Sequence, residues 1–331
     1  MKEKTKLQSG NKTLNTMLGI LKSTPGTVFL VTIIITLIVH LITGNFYTRY
    51  NITVFLRTSS FTILVGFAQT LVLLLGGIDL SVASIAGFSS MVFAILVTKL
   101  AMDPFLSLAL ALMVGPILGM LNGLLITGLN LTPFIATLAT SSVFRGVVYV
   151  VTKGFPLTGI PASVTVIGQG SLFKLIPYPI IITLVVLLVL FIVFKYTTFG
   201  RHVYAVGGNE NAAKIVGIRY KRTQTLVYTI AGFIAGLAGI LMVLRLGSSQ
   251  VNIGENWVMP SITAAVLGGT SMTGGSGSIG GTIVGGLLMS VISYSISLLG
   301  ISSYWDEIVT GAVVLVAIAI DAIGKKRKAN G

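Results

Sequence analysis

Apolar residues in this chain come in runs too long and too free of charge for a water-soluble core. About 20 such residues cross the hydrocarbon layer of a bilayer. Ten segments read as spans on that rule: 27–43, 58–77, 82–98, 105–127, 133–151, 178–195, 224–246, 257–270, 280–300 and 306–323. The eighth is short and ends in glycine, which predicts a broken or re-entrant element. The fold class is therefore all-α, a polytopic membrane helix bundle of about ten transmembrane helices. Composition agrees, since only 9% of the 331 residues are charged where a soluble domain carries about 25%. That balance excludes a soluble enzyme. No small-x-small cleavage site follows the first run at Gly44-Asn45-Phe46-Tyr47, so it reads as an uncleaved first span. The chain has no cysteine, which excludes disulfides, thiolate chemistry and Cys-ligated metal sites.

Charge orients the spans. The net of +14 lies mostly in short stretches between apolar runs, not on one solvated face, so nucleic acid is not the expected partner. With the N-terminus cytoplasmic, fifteen basic residues fall inside: five before the first span, six between the sixth and seventh, and four in the tail from Lys325 to Lys328. Six fall outside: Arg49, Arg57, Lys99, Lys153, Lys174 and Arg245. Cytoplasmic excess of Lys and Arg sets orientation, and an even span count puts both termini inside. The organisation is a cytoplasmic tail over 1–26, one transmembrane domain over 27–323 with a cytoplasmic loop at 196–222, and a basic cytoplasmic tail over 324–331.

Glycine spacing bears on packing. Gly115, Gly119 and Gly123 share one helical face, as do Gly232 with Gly236 and Gly281 with Gly285. Small residues four apart let helix backbones approach closely in a membrane. Prolines 104, 116, 133, 177 and 179 stand at span ends or kink them. A weak repeat relates Leu73-Leu74-Leu75-Gly76-Gly77 to Ala265-Val266-Leu267-Gly268-Gly269. Paired glycine-interrupted segments point to a transport site between two halves, and glycine-rich membrane sequence also repeats by chance.

Catalytic constellations are missing. There is no G-x-x-x-x-G-K-[ST] phosphate loop, no metal-ligand partner near His40 or His202, and no carboxylate pair at helical spacing within a span. No catalytic residue, metal site or cofactor is expected in the chain itself. The stretch from Gly207 to Ile218 is the most informative. Asn209 suits an N-cap, Glu210 suits the positive helix N-terminus, Ala212 and Ala213 favour helix, and Gly217 suits a left-handed C′ position. A two-turn helix outside the membrane follows. It reads equally as an ordinary loop helix or as one seated in a groove on another protein.

Several stretches together resemble the ribose-type branch of ATP-binding-cassette sugar importer permeases. They are Ala205-Val206-Gly207-Gly208-Asn209-Glu210-x-Ala212-Ala213-x-x-x-Gly217-Ile218, Gly76-Gly77-Ile78-Asp79-Leu80-Ser81-Val82, Thr132 to Leu138 with Arg145-Gly146, and Ala265 to Ser271 with Gly274, Gly275 and Gly277. The resemblance spans about residues 50–323, with Asn211 standing as one extra residue after the coupling Glu. It implies an inner-membrane permease of a prokaryote that imports a small polar solute, with a monosaccharide expected. It also implies a second permease subunit, a cytoplasmic ATPase that uses the ATP, and an extracytoplasmic binding protein. Asn209, Glu210, Ala212, Ala213 and Gly217 then become the ATPase-coupling residues. An ion-coupled secondary transporter is the alternative, disfavoured because the carboxylates sit at span ends.

Other residues carry two readings each. Arg145 lies about twelve residues into its span, where arginine costs about 2.5–3.5 kcal/mol at mid-bilayer; it is an anchor or a pathway residue. Asp79 caps the following helix or, with Ser81, belongs to the pathway. The hydroxyls of Thr137, Thr140, Ser141 and Ser142 line a path or satisfy backbone. Lys153 and Lys174, in the longest external loop, are positioned to dock an acidic patch on the binding protein.

Overall fold

The computed structural model describes residues 24–302 and 304–329; the tail expected over 1–26 lies outside them as far as residue 23. In chain order the helices are α1 (Thr24–Thr43), α2 (Arg49–Leu74), α3 (Val82–Thr98), α4 (Pro104–Leu129), α5 (Pro133–Thr152) and α6 (Ala162–Gln169). There follow α7 (Tyr178–Tyr196), α8 (Thr198–Gly208), α9 (Glu210–Ile215), α10 (Tyr220–Leu246), α11 (Val258–Leu267), α12 (Ile279–Leu298) and α13 (Tyr304–Ala329). Two short antiparallel pairs accompany them: β1 (Leu157–Thr158) with β4 (Ser248–Ser249), and β2 (Ser171–Leu172) with β3 (Ile176–Pro177).

Each apolar run is helical, but not each is a full span. Seven helices among the described residues are long and apolar enough to cross a membrane: α1, α2, α4, α5, α7, α10 and α12. The segment 82–98 forms a 17-residue helix and the segment 257–270 only a 10-residue one. The last apolar run sits in α13, which continues through the basic stretch 325–328.

Helix starts follow their local chemistry. Proline opens α4 and α5, where its missing N–H costs nothing. Asp103 caps α4 by accepting from Phe105 N at 3.0 Å and Leu106 N at 2.9 Å, and Ser278 caps α12 by accepting from Gly281 N at 3.2 Å.

The long helix α10 is the centre, packed against α4, α3, α2 and α6. Against α4 the contact is backbone on backbone. A methyl on Gly115 would overlap Gly232 O, and one on Gly119 would overlap Tyr228 O. The glycine faces of α4 and α10 read from the sequence are therefore one interface, whereas Gly281 and Gly285 of α12 face α11. On the other side α2 holds α11 and α12, with α1 outside α12 and α13 against both α11 and α12. The repeated glycine motifs are both helix ends lying side by side. Gly76 N bonds Leu73 O and Gly77 N bonds Val72 O, while Gly269 N bonds Val266 O and Thr270 N bonds Ala265 O. The hydrogen bonds thus equate Gly76 with Gly269, one position off the alignment by sequence.

Connections collect at two ends. One gathers the turn 75–81, helices α8 and α9, and the glycine loop 268–278, joined where Gly275 N bonds Leu74 O at 2.9 Å. The other gathers residues 153–177 and 247–257, joined by the β1–β4 pair. The long loop expected over 153–177 is ordered: α6 packs on α10, and the β2–β3 hairpin is tied to α2 by Arg49 donating to Lys174 O (3.2 Å) and Phe173 O (2.5 Å).

Candidate functional site

At the α8–α9 end, Asn209 Oδ1 accepts from Ala212 N at 2.9 Å and so caps α9. Gly217 is left-handed at φ +81°, and Ile218 N closes the helix on Ala213 O at 3.0 Å. Both caps stand where the residue types placed them. Glu210 and Lys214 pair at 2.7 Å, which holds the Lys214 ammonium above the ordinary lysine range. The two alanines, expected on one docking face, do not share it. Ala213 is buried within the chain, and the outward surface is Ala212, Ile215 and Val216, the last two 87% and 74% exposed. Ala213 is the single inward position of this short helix, with exposed residues on both sides of it, as a turn of about 100° per residue allows.

The segment is seated on backbone. A methyl on Gly207 would overlap Leu74 O, one on Gly274 would lie 2.7 Å from both Gly207 O and Gly76 N, and Tyr204 Oη donates to Gly277 O at 3.2 Å. Three glycine stretches far apart in the chain meet at one point.

The turn after α2 folds back along it. Gln69, buried inside α2, turns its amide so that it donates to Asp79 O at 3.0 Å and accepts from Asp79 N at 3.2 Å. Asp79 is not the cap expected for α3. Ser81 holds the cap position, and Asp79 Oδ1 accepts from Ser81 N (2.7 Å) and Ser81 Oγ (2.5 Å). Asn122 Nδ2 donates to Ser81 Oγ at 2.7 Å, and Thr137 Oγ1 accepts from Leu80 N at 3.1 Å. Asp79, Ser81 and Thr137 thus tie α2, α3, α4 and α5 together, and none of them lines the cavity described next. Asp79→Ala leaves two buried donors on Ser81 without an acceptor, at a cost of about 1–3 kcal/mol. Asp79→Asn keeps an acceptor oxygen. Thermal unfolding of the purified protein should rank wild type above Asn above Ala, and identical midpoints would contradict this role.

Toward the other end, a cavity of ≈ 110 Å³ lies between α3, α5 and residues 251–258. Arg145 borders it, seven residues short of the end of α5 at Thr152, or about 10 Å in at 1.5 Å per residue. Its guanidinium pairs with Glu255. Ser141 lines the cavity, whereas Thr140 and Ser142 donate to backbone carbonyls of their own helix. Glu255 escaped the sequence reading. The available signal was scarcity: it is one of eight acidic residues in the chain, and it stands in the connection that follows α10. Lys153 and Lys174 are exposed at this same end, both at positive φ (55° and 57°).

Helices hidden on one side and bare and apolar on the other, seven of them long enough to cross a bilayer, define a multi-pass membrane protein. The chain belongs to the family described as branched-chain amino acid transport system / permease component, matched over residues 51–318. Within it the chain is a ribose-type ABC importer permease of the prokaryotic inner membrane. It is 41% identical to the ribose import permease protein RbsC of Bacillus subtilis over 88% of this chain and 91% of that protein. It is 35% identical to the D-allose transport system permease protein AlsC of Escherichia coli, over 91% and 92%. With the fructose import permease protein FrcC of Rhizobium meliloti the identity is 33%, over 91% and 86%. No solved structure matches.

Proposed function

We propose that this chain is the membrane-spanning subunit of an ATP-driven importer, carrying a monosaccharide that a binding protein delivers. The α8–α9 end faces the cytoplasm and meets the ATPase, and the end with Lys153 and Lys174 faces the binding protein. Both termini are cytoplasmic, with α3, α11 and α13 completing a ten-pass path. A second permease subunit, identical or related, completes the pore. The chain contributes no ATP site; the partner ATPase uses the nucleotide.

The observation that carries this reading is the outward face of α9. Ile215 and Val216 are large, apolar and exposed on a short helix capped at both ends, as a surface for a partner protein would be. Basic residues cluster at this end (Arg201, Lys214, Arg219, Lys221, Arg222), which supports its cytoplasmic placement. Ile215→Asp with Val216→Asp should remove the ATPase from the purified complex and lower uptake by about tenfold or more, because burying a charge in an apolar contact is costly. The variant should still insert, since neither side chain packs inside the chain. Retained ATPase with normal uptake would overturn the coupling assignment. Solute uptake driven by an ion gradient in vesicles holding this chain alone would overturn the importer reading.

A further inference from the structure

We propose that the cavity between α3 and α5 is the solute subsite, that it takes a neutral polyhydroxylated molecule, and that the Arg145–Glu255 pair latches it at its outer end. The inference rests on the import reading above and adds the site to it.

The cavity has a floor, two walls and a lid. The floor is Leu80, in the folded-back turn, whose N–H is held by Thr137. Ser84 of α3 and Ser141 of α5 stand on opposite walls, and Asn252 closes a third side. The lid is the ion pair. Because Arg145 and Glu255 neutralise each other, the lining offers hydroxyls, an amide and a balanced pair. An anion or a cation would have to compete with an existing partner, whereas alcohol groups can donate to one side and accept from the other.

The lid adds a side-chain tie between α5 and the connection after α10, whose chain segments the β1–β4 pair joins further along. Glu255 comes from the connection after α10 and Arg145 from α5, 110 positions earlier. The connection rests directly on the backbone of α3. An added Cβ at Gly87 would lie 2.9 Å from Ile253 O, and one at Gly254 (φ +86°) would lie 2.5 Å from Ala83 O. Both charged side chains are about half exposed, at 42% and 45%, so surrounding packing does not lock either in place.

Glu255 also divides two spaces. It lines a second, larger cavity of ≈ 400 Å³, together with Asn256, Asp306, Glu307 and Thr310. Glu255 and Val258 line both spaces, which places the ion pair beside the boundary between them. The route runs from the larger space, past the pair, to the serines.

The absence of native cysteine permits a direct test. Arg145→Cys with Glu255→Cys supplies the only two thiols of this chain, to be joined before assembly with the partners by a short reducible bis-methanethiosulfonate because the paired side chains outreach a direct disulfide. The complex with its ATPase and binding protein is placed in proteoliposomes, and uptake of radiolabelled ribose, allose and fructose is measured. Linking should lower uptake by about tenfold or more and reduction should restore it, as for a lid held shut. Equal uptake in the linked and reduced forms overturns the latch. Should the reduced double variant itself be inactive, charge exchange decides: Arg145→Glu and Glu255→Arg singly should each lose about tenfold, and together recover to within about threefold of wild type. A pair no better than the singles overturns the latch. Ser141→Trp, which fills the cavity, should lower uptake by about tenfold while the ATPase still co-purifies, and undiminished uptake overturns the subsite. If wild type takes up none of the three sugars, the import reading fails. If wild type transports and the variants behave as it does, only this inference fails.

Discussion

Gly207→Ala is expected to abolish import, and Gly208→Ala, one residue on, to leave it nearly intact. The two glycines differ only in what a methyl group would meet. At Gly207 it would overlap Leu74 O, the same oxygen that accepts from Gly275 N, and would lie 2.8 Å from that nitrogen. Neither neighbour is a side chain that can turn away, so α8 must lift from the end of α2. Overpacking of this kind costs about 1–3 kcal/mol or more, and it falls where the segment bearing α9 is fixed to the bundle. At Gly208 the added carbon would meet only Gly275 Cα at 4.0 Å, an ordinary contact. Uptake in proteoliposomes and ATPase co-purification check the pair. Equal behaviour of the two variants would show that α8 is not held by this contact.

Gly119→Leu should prevent assembly of the bundle, whereas Gly128→Leu on the same helix should be tolerated. Both changes add the same apolar volume and the same helix preference, so intrinsic propensity cancels between them. Gly119 faces α10 so closely that its Cβ would overlap Tyr228 O, while Gly128 has nothing within 4 Å of the same position. Helix association in a membrane depends on packing contact because lipid is as apolar as leucine. Forcing α4 and α10 apart forfeits that contact along their shared face, a loss of about 3 kcal/mol or more. The readout is the yield of monodisperse protein in mild detergent. Comparable yields from both variants would contradict the backbone seam.

What could be read from the sequence was local chemistry. Asn209 and Gly217 announce the ends of α9 because capping depends on residues within one turn. Glycines 115, 119, 232 and 236 announce a close seam because helical spacing alone brings them to one face. Asp79 misled because a carboxylate near a helix start has two local options, the cap and the tight turn onto its own backbone. The decision lay with Gln69, which reaches the backbone of Asp79 from α2, and Asn122, which reaches the Ser81 hydroxyl from α4. Ala213 misled because a short helix buries one side, and composition does not say which. Glu255 was invisible because its partner lies 110 positions away; only scarcity of acids hinted at it. The folded segment 153–177, with α6 and its hairpin, was missed because those elements are too short to show periodicity.

The brevity of α11 bears on how the chain enters a membrane. Ten residues extend about 15 Å, half the thickness of the hydrocarbon layer. Such a segment has too little apolar length to be released into lipid by the insertion machinery on its own. Its carrier is α12, against which it lies without an intervening side chain: a methyl on Gly281 would overlap Gly268 O, and one on Gly285 would overlap Ala264 O. The two pack as one hairpin against α2. Length alone would leave α11 unable to hold a place across a bilayer, and its packing against α12 and α2 is what keeps it there.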